Sequence, residues 1–189
     1  MIKFLPNFLT MSRILVIPIL IASFYMHGKL AHWIAAGLFL FASITDFFDG
    51  YLARAWSAQS KLGRFLDPIA DKLLVCAAIL MLVHFDAIGR YDIIAAIAIV
   101  GREILVSGLR EFLAELRVSL PVSKLGKIKT AVQMTALFLL LLGEKGSGLH
   151  LTVTLGQITL WMAAILTLIS GYAYLRAGLS HMGEGSVSS

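Results

Sequence analysis

Charge and cysteine are both scarce in this sequence. Asp, Glu, Lys and Arg make up 14% of its 189 residues, whereas hydrophobic residues make up 59%. This composition excludes a disordered chain and argues against an ordinary soluble domain. The single cysteine, Cys76, excludes an intramolecular disulfide, and because it lies inside an apolar run we interpret it as a packed thiol.

Several familiar chemical motifs are also absent. The sequence contains no CxxC, HExxH or nucleotide P-loop pattern, and its five histidines show no spacing typical of metal ligands. Its basic residues do not gather into a separate domain, so nothing supports nucleic acid binding.

Long apolar runs dominate the sequence instead. A helix that spans a bilayer needs about 20 mostly apolar residues. The runs predict an all-α integral membrane protein with six transmembrane helices, preceded by a short interfacial N-terminal segment at residues 1–12. We expect one membrane domain over residues 1–177, followed by a small polar tail at 178–189 that is disordered. The six predicted spans are 13–27, 31–55, 66–86, 92–113, 128–143 and 152–176.

The basic residues are distributed unevenly between the two sides of these spans. Cytoplasmic segments of membrane proteins carry the excess of Lys and Arg. The side with more basic residues includes both termini, so we predict that both termini face the cytoplasm. The poorer side holds Lys29, Arg90 and Lys145, and Arg102 falls within a span. The richer side holds Lys3, Arg13, Arg54, Lys61, Arg64, Lys72, Arg110, Arg117, Lys124, Lys127, Lys129 and Arg176.

Four aspartates interrupt the apolar sequence in the stretch DFFDGYLARAWSAQSKLGRFLDPIAD, residues 46–71. A charged side chain at the membrane centre costs about 2.5–3.5 kcal/mol on insertion scales, so four of them need a compensating role. Asp46 and Asp49 are three residues apart and Asp67 and Asp71 are four apart, so each pair shares one helix face. A short loop makes the two helices antiparallel neighbours, and we expect all four carboxylates to converge at their cytoplasmic ends.

Four converging carboxylates cannot all stay ionised without cations. Arginines could pair with them, or metal ions could lie between them, and an all-oxygen ligand set favours Mg²⁺, Mn²⁺ or Ca²⁺ over Zn²⁺. Two metal ions bridged by carboxylates recur in phosphoryl chemistry. Gly50, Ala53 and Gly63 would let a bulky ligand approach the backbone, or would simply allow tight helix packing. Arg54 could contact phosphate oxygens.

This spacing resembles the signature of the CDP-alcohol phosphotransferases at eight fixed positions over 26 residues. The resemblance implies a membrane enzyme of six helices, usually a homodimer, that transfers a phosphatidyl or similar group from a CDP-linked donor to an alcohol and releases CMP. It implies two divalent cations, Mg²⁺ or Mn²⁺, held by the aspartates, and Asp71 as the base that takes the proton of the attacking hydroxyl. The eight positions are Asp46, Asp49, Gly50, Ala53, Arg54, Gly63, Asp67 and Asp71.

The donor implied by the resemblance is CDP-diacylglycerol, whose acyl chains would stay among the membrane lipids. Its contacts would come from Asp49 and from the small residues and arginine of the signature, namely Gly50, Ala53, Arg54 and Gly63. Asn7 and Thr10 could touch the nucleotide as well, or could cap and anchor the N-terminal segment.

Three further blocks bear on the acceptor alcohol. PNFLTMSR (6–13), GREILVSGLRE (101–111) and LGKIKTAVQM (125–134) resemble the bacterial members of the family that use sn-glycerol 3-phosphate. This resemblance implies phospholipid synthesis at the bacterial inner membrane, with the active site facing the cytoplasm.

The phosphate of this acceptor is a dianion near neutral pH and requires cations. We predict that Arg102, Arg110, Lys127 and Lys129 bind it, and we expect Glu103 to point elsewhere.

Two polar residues of the third block have alternative interpretations. Thr130 and Gln133 could hydrogen-bond the acceptor or could link helices.

Alternative functions remain open at the level of sequence. The same family uses other acceptors, including serine, inositol phosphate and phosphatidylglycerol. A cation transporter could also use the aspartates as an ion path, but its acids usually lie at the membrane midplane beside broken helices. A scaffold or insertion factor would leave the signature unexplained. Metal-dependent release of CMP separates the enzyme from the transporter and the scaffold.

Overall fold

The computed structural model describes the backbone of residues 5–56, 61–115 and 124–185, and the side chains of residues 11–45, 66–114 and 125–178. The described chain is helical and has no strands, which confirms the predicted all-α class. Its six helices are α1 (Leu5–Ser23), α2 (Lys29–Trp56), α3 (Lys61–His84), α4 (Asp92–Glu115), α5 (Lys124–Ser147) and α6 (His150–Gly185).

The ends of the chain differ from the sequence-based prediction. Residues 5–12 are not a separate segment but the first turns of α1, where Pro6 is tolerated because the first backbone N–H groups of a helix have no partner within it. At the other end α6 runs on to Gly185, beyond the predicted start of the tail at Gly178.

The helices form one bundle in which α6 packs along α5 and α4, and α2 packs along α5 and α1. We predicted α2 and α3 as direct neighbours. In the described part of the chain they touch only slightly, and α1 packs against both of them. α3 also contacts α4 and α5, whereas the described backbones of α4 and α5 do not approach each other.

Small apolar residues at the helix contacts allow this close packing. Ala36, Ala42, Ala78 and Ala163 are fully buried, among leucines and isoleucines from all the neighbouring helices. α5 bends near its end at Gly143, whose φ of 56° and ψ of −172° are rarely open to any other residue. The bend leads into the turn that reverses the chain into α6.

The outer surface of the bundle is strongly apolar. Large side chains such as Leu15, Leu80, Ile97, Ile165 and Tyr172 are more than half exposed, whereas soluble proteins rarely expose apolar patches of this extent. In the described residues, Leu125–Ser147 and His150–Gly178 are long and apolar enough to cross a membrane. Membrane spanning by all six helices stays a prediction.

Candidate active site

Two of the four predicted aspartates are described, and they lie on one face of α3. Asp67 and Asp71 are one helical turn apart, and both accept hydrogen bonds from Arg13 of α1. Arg13 Nη1 lies 2.9 Å from Asp71 Oδ1, and Arg13 Nη2 lies 3.0 Å from Asp67 Oδ1. The arginine side chain is 1% exposed, whereas the side chains of Asp67 and Asp71 are 28% and 41% exposed. The carboxylates are therefore held in place yet remain accessible.

Arg13 was not among the predicted site residues. Two features of the sequence could have identified it. Arg13 lies close to an apolar run in a block that resembles the family, and the aspartates need cations as partners. Its partners lie 54 and 58 residues away along the chain, so spacing alone could not identify them.

A cavity of about 110 Å³ opens beside Asp71, between α3, α4 and α5. A single water needs only about 10–15 Å³ of such space, so the cavity can hold a small polar molecule. Its polar lining consists of Asp71, Lys72, Glu103, Thr130 and Gln133.

Lys72 is a cation in this lining that the sequence analysis did not select. Its ammonium group donates to the hydroxyl of Ser107 in α4, and Ser107 Oγ in turn lies 3.3 Å from Glu111 Oε1. Its place in the sequence could have identified it. Lys72 directly follows Asp71, and a neighbouring residue on the same helix can reach the same cavity.

Arg102, the first of the four predicted acceptor-binding cations, reaches towards α6. Its Nη2 donates to Ser170 Oγ at 3.1 Å, and its guanidinium carbon lies 5.6 Å from the centre of the Tyr174 ring. Its Nη1 is 3.6 Å from Glu103 Oε1. Arg102 is thus placed beside the cavity wall but is not part of the lining.

Lys129, the last of these cations, is buried in α5 and forms an ion pair with Glu103 of α4. The expectation that Glu103 points elsewhere is therefore wrong. Arg102 and Lys129 both need a counter-charge in an apolar bundle, and Glu103 serves both of them. Arg110 and Lys127 are exposed.

The remaining predicted residues cannot be placed at the level of side chains. Within the described side chains, no three His, Cys, Asp or Glu residues come close enough to hold a metal ion. The predicted set of four carboxylates includes two that lie outside this part, so its convergence stays a prediction. The predicted site residues whose side chains lie outside the described part are Asn7, Thr10, Asp46, Asp49, Gly50, Ala53, Arg54 and Gly63.

The described carboxylates nevertheless have the chemistry that a divalent ion requires. Asp67 and Asp71 offer oxygen ligands from one helix face, partly open to solvent, and hard cations prefer such ligands. Arg13 already balances part of their charge.

Comparison with known proteins shows which family the chain belongs to. A sequence model of the family described as CDP-alcohol phosphatidyltransferase matches residues 3–169, a range that contains every predicted site residue. The chain belongs to the CDP-alcohol phosphatidyltransferase family. Enzymes of this family generally use divalent metal ions. Together with the apolar helices, this membership indicates a membrane protein.

Bacterial proteins named CDP-diacylglycerol–glycerol-3-phosphate 3-phosphatidyltransferase are similar to this family member over nearly its whole length. The protein from Rickettsia felis is 53% identical over 175 residues, which cover 93% of this chain and 95% of the relative. Those from Rickettsia typhi and Rickettsia prowazekii are also 53% identical over 175 residues. Both alignments cover 93% of this chain, with 97% and 95% of the respective relatives.

Proposed function

We propose that this protein transfers the phosphatidyl group of CDP-diacylglycerol to sn-glycerol 3-phosphate, which yields phosphatidylglycerol phosphate and CMP. The main support for this proposal is the 53% identity, over 93% of the chain, to a relative that is named for this activity. The site agrees with it, because Asp71 of the family signature lines a cavity large enough for a small polar acceptor.

The donor would be held by the signature residues. Asp46, Asp49, Asp67 and Asp71 would bind two divalent ions, Mg²⁺ or Mn²⁺, which when bound neutralise charge on the diphosphate. Arg13 forms ion pairs with two of these carboxylates, Asp67 and Asp71. The CDP-diacylglycerol contacts proposed are Asn7, Thr10, Asp49, Gly50, Ala53, Arg54 and Gly63.

The reaction is a displacement at the β-phosphorus of the donor. A bond forms between the acceptor hydroxyl oxygen and this phosphorus, and the phosphorus–oxygen bond to CMP breaks. The hydroxyl proton passes to the carboxylate of Asp71. Asp71 suits this role because it lines the cavity and its side chain is 41% exposed.

The acceptor phosphate would be bound by cations of α4 and α5 together with Lys72 of α3. Arg102, Arg110, Lys127 and Lys129 remain the proposed set, with Glu103 fixing the two that are not exposed. Lys72 joins them because it lines the cavity directly beside Asp71.

We also propose that the protein is a multi-pass homodimer of the bacterial inner membrane, as the resemblance to the family implies. The excess of basic residues on one side supports an orientation with both termini and the active site towards the cytoplasm. A cytoplasmic site also suits the water-soluble acceptor, while the acyl chains of the donor stay in the bilayer.

Release of CMP by the purified protein in liposomes tests this function. CDP-diacylglycerol and Mg²⁺ would be supplied with sn-glycerol 3-phosphate, serine, inositol phosphate or phosphatidylglycerol in separate reactions. Asp71→Asn removes the proposed base. Asp86→Asn is the matched control, because Asp86 is exposed in the turn after α3 and its positive φ suits asparagine.

We expect CMP only with sn-glycerol 3-phosphate, little release by Asp71→Asn, and normal release by Asp86→Asn. Release with another alcohol would keep the reaction class and overturn the acceptor. Folded wild-type protein that releases no CMP in any reaction would overturn the enzyme assignment.

A further inference from the structure

Gln133 in α5 is a buried polar residue without a hydrogen-bond partner for its side-chain oxygen. Its side chain is among the most buried of the large ones, at 2% exposure, and its Oε1 has no partner among the described residues. Buried amide groups are nearly always hydrogen-bonded, because an unpaired one keeps the full desolvation penalty. A buried amide oxygen without a partner therefore indicates a ligand that supplies the missing hydrogen bond.

The position of Gln133 shows where such a ligand would lie. Gln133 and Asp71 line the same cavity, from α5 and α3 respectively. Thr130, one turn earlier on α5, also lines it, but its hydroxyl donates to the carbonyl of Gly126 at 3.0 Å within the same helix. The threonine is therefore satisfied locally, whereas the amide oxygen of Gln133 is not.

The alternative that Gln133 links two helices is not supported by its contacts. Such a role requires a partner on a neighbouring helix, and the described side chains offer none to its Oε1. Gln157 of α6 shows what such a link looks like, since its Nε2 donates to Asp92 Oδ2 of α4 at 3.1 Å.

We propose that Gln133 is a specificity-determining residue that binds the hydroxyl of the acceptor that does not react. This inference rests on the proposed function. sn-Glycerol 3-phosphate has two neighbouring hydroxyl groups, so one attacks beside Asp71 while the other pairs with the Gln133 amide. A hydroxyl both donates and accepts, and either end of an amide can pair with it. A neutral amide cannot balance the charge of a phosphate, which is left to the cations.

A comparison of two acceptors and two glutamine variants tests the proposal. 3-Hydroxypropyl phosphate keeps the phosphate and the terminal hydroxyl but lacks the middle hydroxyl. Gln133→Met keeps the length of the side chain and removes the amide. Gln157→Met makes the same change in α6, at the residue already paired with Asp92. kcat/KM would be measured for each acceptor with each protein, and Tm without substrate.

We expect the wild type to prefer sn-glycerol 3-phosphate by about tenfold or more, because a site built to bind a hydroxyl rejects an analogue that lacks it. In Gln133→Met the ratio of kcat/KM between the two acceptors should fall to within about twofold. This change should come from a lower kcat/KM for sn-glycerol 3-phosphate alone. Its Tm should be unchanged or higher, because an unpaired buried amide is removed. Gln157→Met should keep the preference and lower Tm.

Other results would overturn the proposal. An equal loss of rate with both acceptors, or an unchanged preference in Gln133→Met, would show that the amide does not bind the second hydroxyl. If Gln133→Met does not fold, Gln133→Asn, which keeps the amide on a shorter side chain, replaces it in the test. A folded Gln133→Asn with an unchanged preference would also overturn the proposal. Wild-type protein that uses neither acceptor would instead overturn the proposed function itself, which separates the two failures.

Discussion

At the scale of single residues, Arg13 shows how one helix orients two carboxylates of another. Its guanidinium is fully charged at any ordinary pH, and its planar shape lets two nitrogen atoms reach two carboxylates at once. Each bond is charge-assisted, and the arginine itself is almost fully buried. Arg13 thus fixes the orientation of Asp67 and Asp71 from a different helix.

Replacement of Arg13 should therefore impair turnover more than donor binding. We expect Arg13→Ala to lower kcat by about 100-fold or more, since small displacements of reacting groups have effects of this size. The kcat of Arg13→Lys should lie between those of the wild type and Arg13→Ala, because lysine keeps the charge but not the forked geometry. Rates of CMP release at saturating Mn²⁺ and donor would measure this.

The matched control is Arg90→Ala, which removes an exposed arginine from the connection between α3 and α4. It should retain the wild-type rate. Normal turnover by folded Arg13→Ala would show that the two aspartates do not depend on the arginine.

At the scale of helices, the cavity exists because α4 and α5 stand apart. Their described backbones make no close contact, and the ion pair of Glu103 with Lys129 reaches across the gap. A buried ion pair contributes little net stability compared with apolar packing, but loss of one partner leaves the other charge buried and unpaired. The pair therefore links two helices that line the site.

A double-mutant cycle on this pair tests its role. Lys129→Met should lower the stability by less than the about 3–5 kcal/mol typical of an unpaired buried charge, because Glu103 is 22% exposed and still has Arg102 at 3.6 Å. Glu103→Gln should destabilise more, because it removes the counter-charge of both Arg102 and Lys129. The combined variant should be more stable than the sum of the two effects predicts, with a coupling of about 0.5–3 kcal/mol. Thermal unfolding in detergent would measure all four proteins, and strict additivity would exclude a direct interaction.

At the scale of the whole molecule, the bundle is built for an apolar environment. Its interior is filled by small and aliphatic residues, and its outer face carries large apolar side chains. Two of the basic residues that we counted towards orientation, Arg13 and Lys129, are in fact buried in ion pairs. The orientation consequently depends on the other basic residues of the richer side, which still outnumber those of the poorer side.

Labelling of single cysteines in intact cells tests this orientation. The chain has one cysteine, so Cys76→Ala provides a background without thiols. Lys145→Cys, near the end of α5, should react with a membrane-impermeant maleimide from outside. Ala114→Cys, near the end of α4, should react only after permeabilisation. Both residues are exposed on the bundle, so accessibility depends on the side of the membrane. The reverse pattern would show that the active site faces away from the cytoplasm.

The helical class and the family could be predicted from the sequence, as could the six helices in the described part of the chain. These follow from local properties: the lengths of apolar runs, and the spacing of residues such as Asp67 and Asp71 along one helix. The family signature is equally local, because its eight positions lie within 26 consecutive residues.

The way in which the helices complete the site became clear from their packing alone. Three features depend on which helices meet: the bonds of Arg13 to Asp67 and Asp71, the pairing of Glu103 with Lys129, and the Gln133 side-chain oxygen that has no partner among the described residues. Contacts between residues far apart in the chain arise from packing, which balances burial against the need of each buried polar group for a partner. The spacing along one helix cannot give that balance.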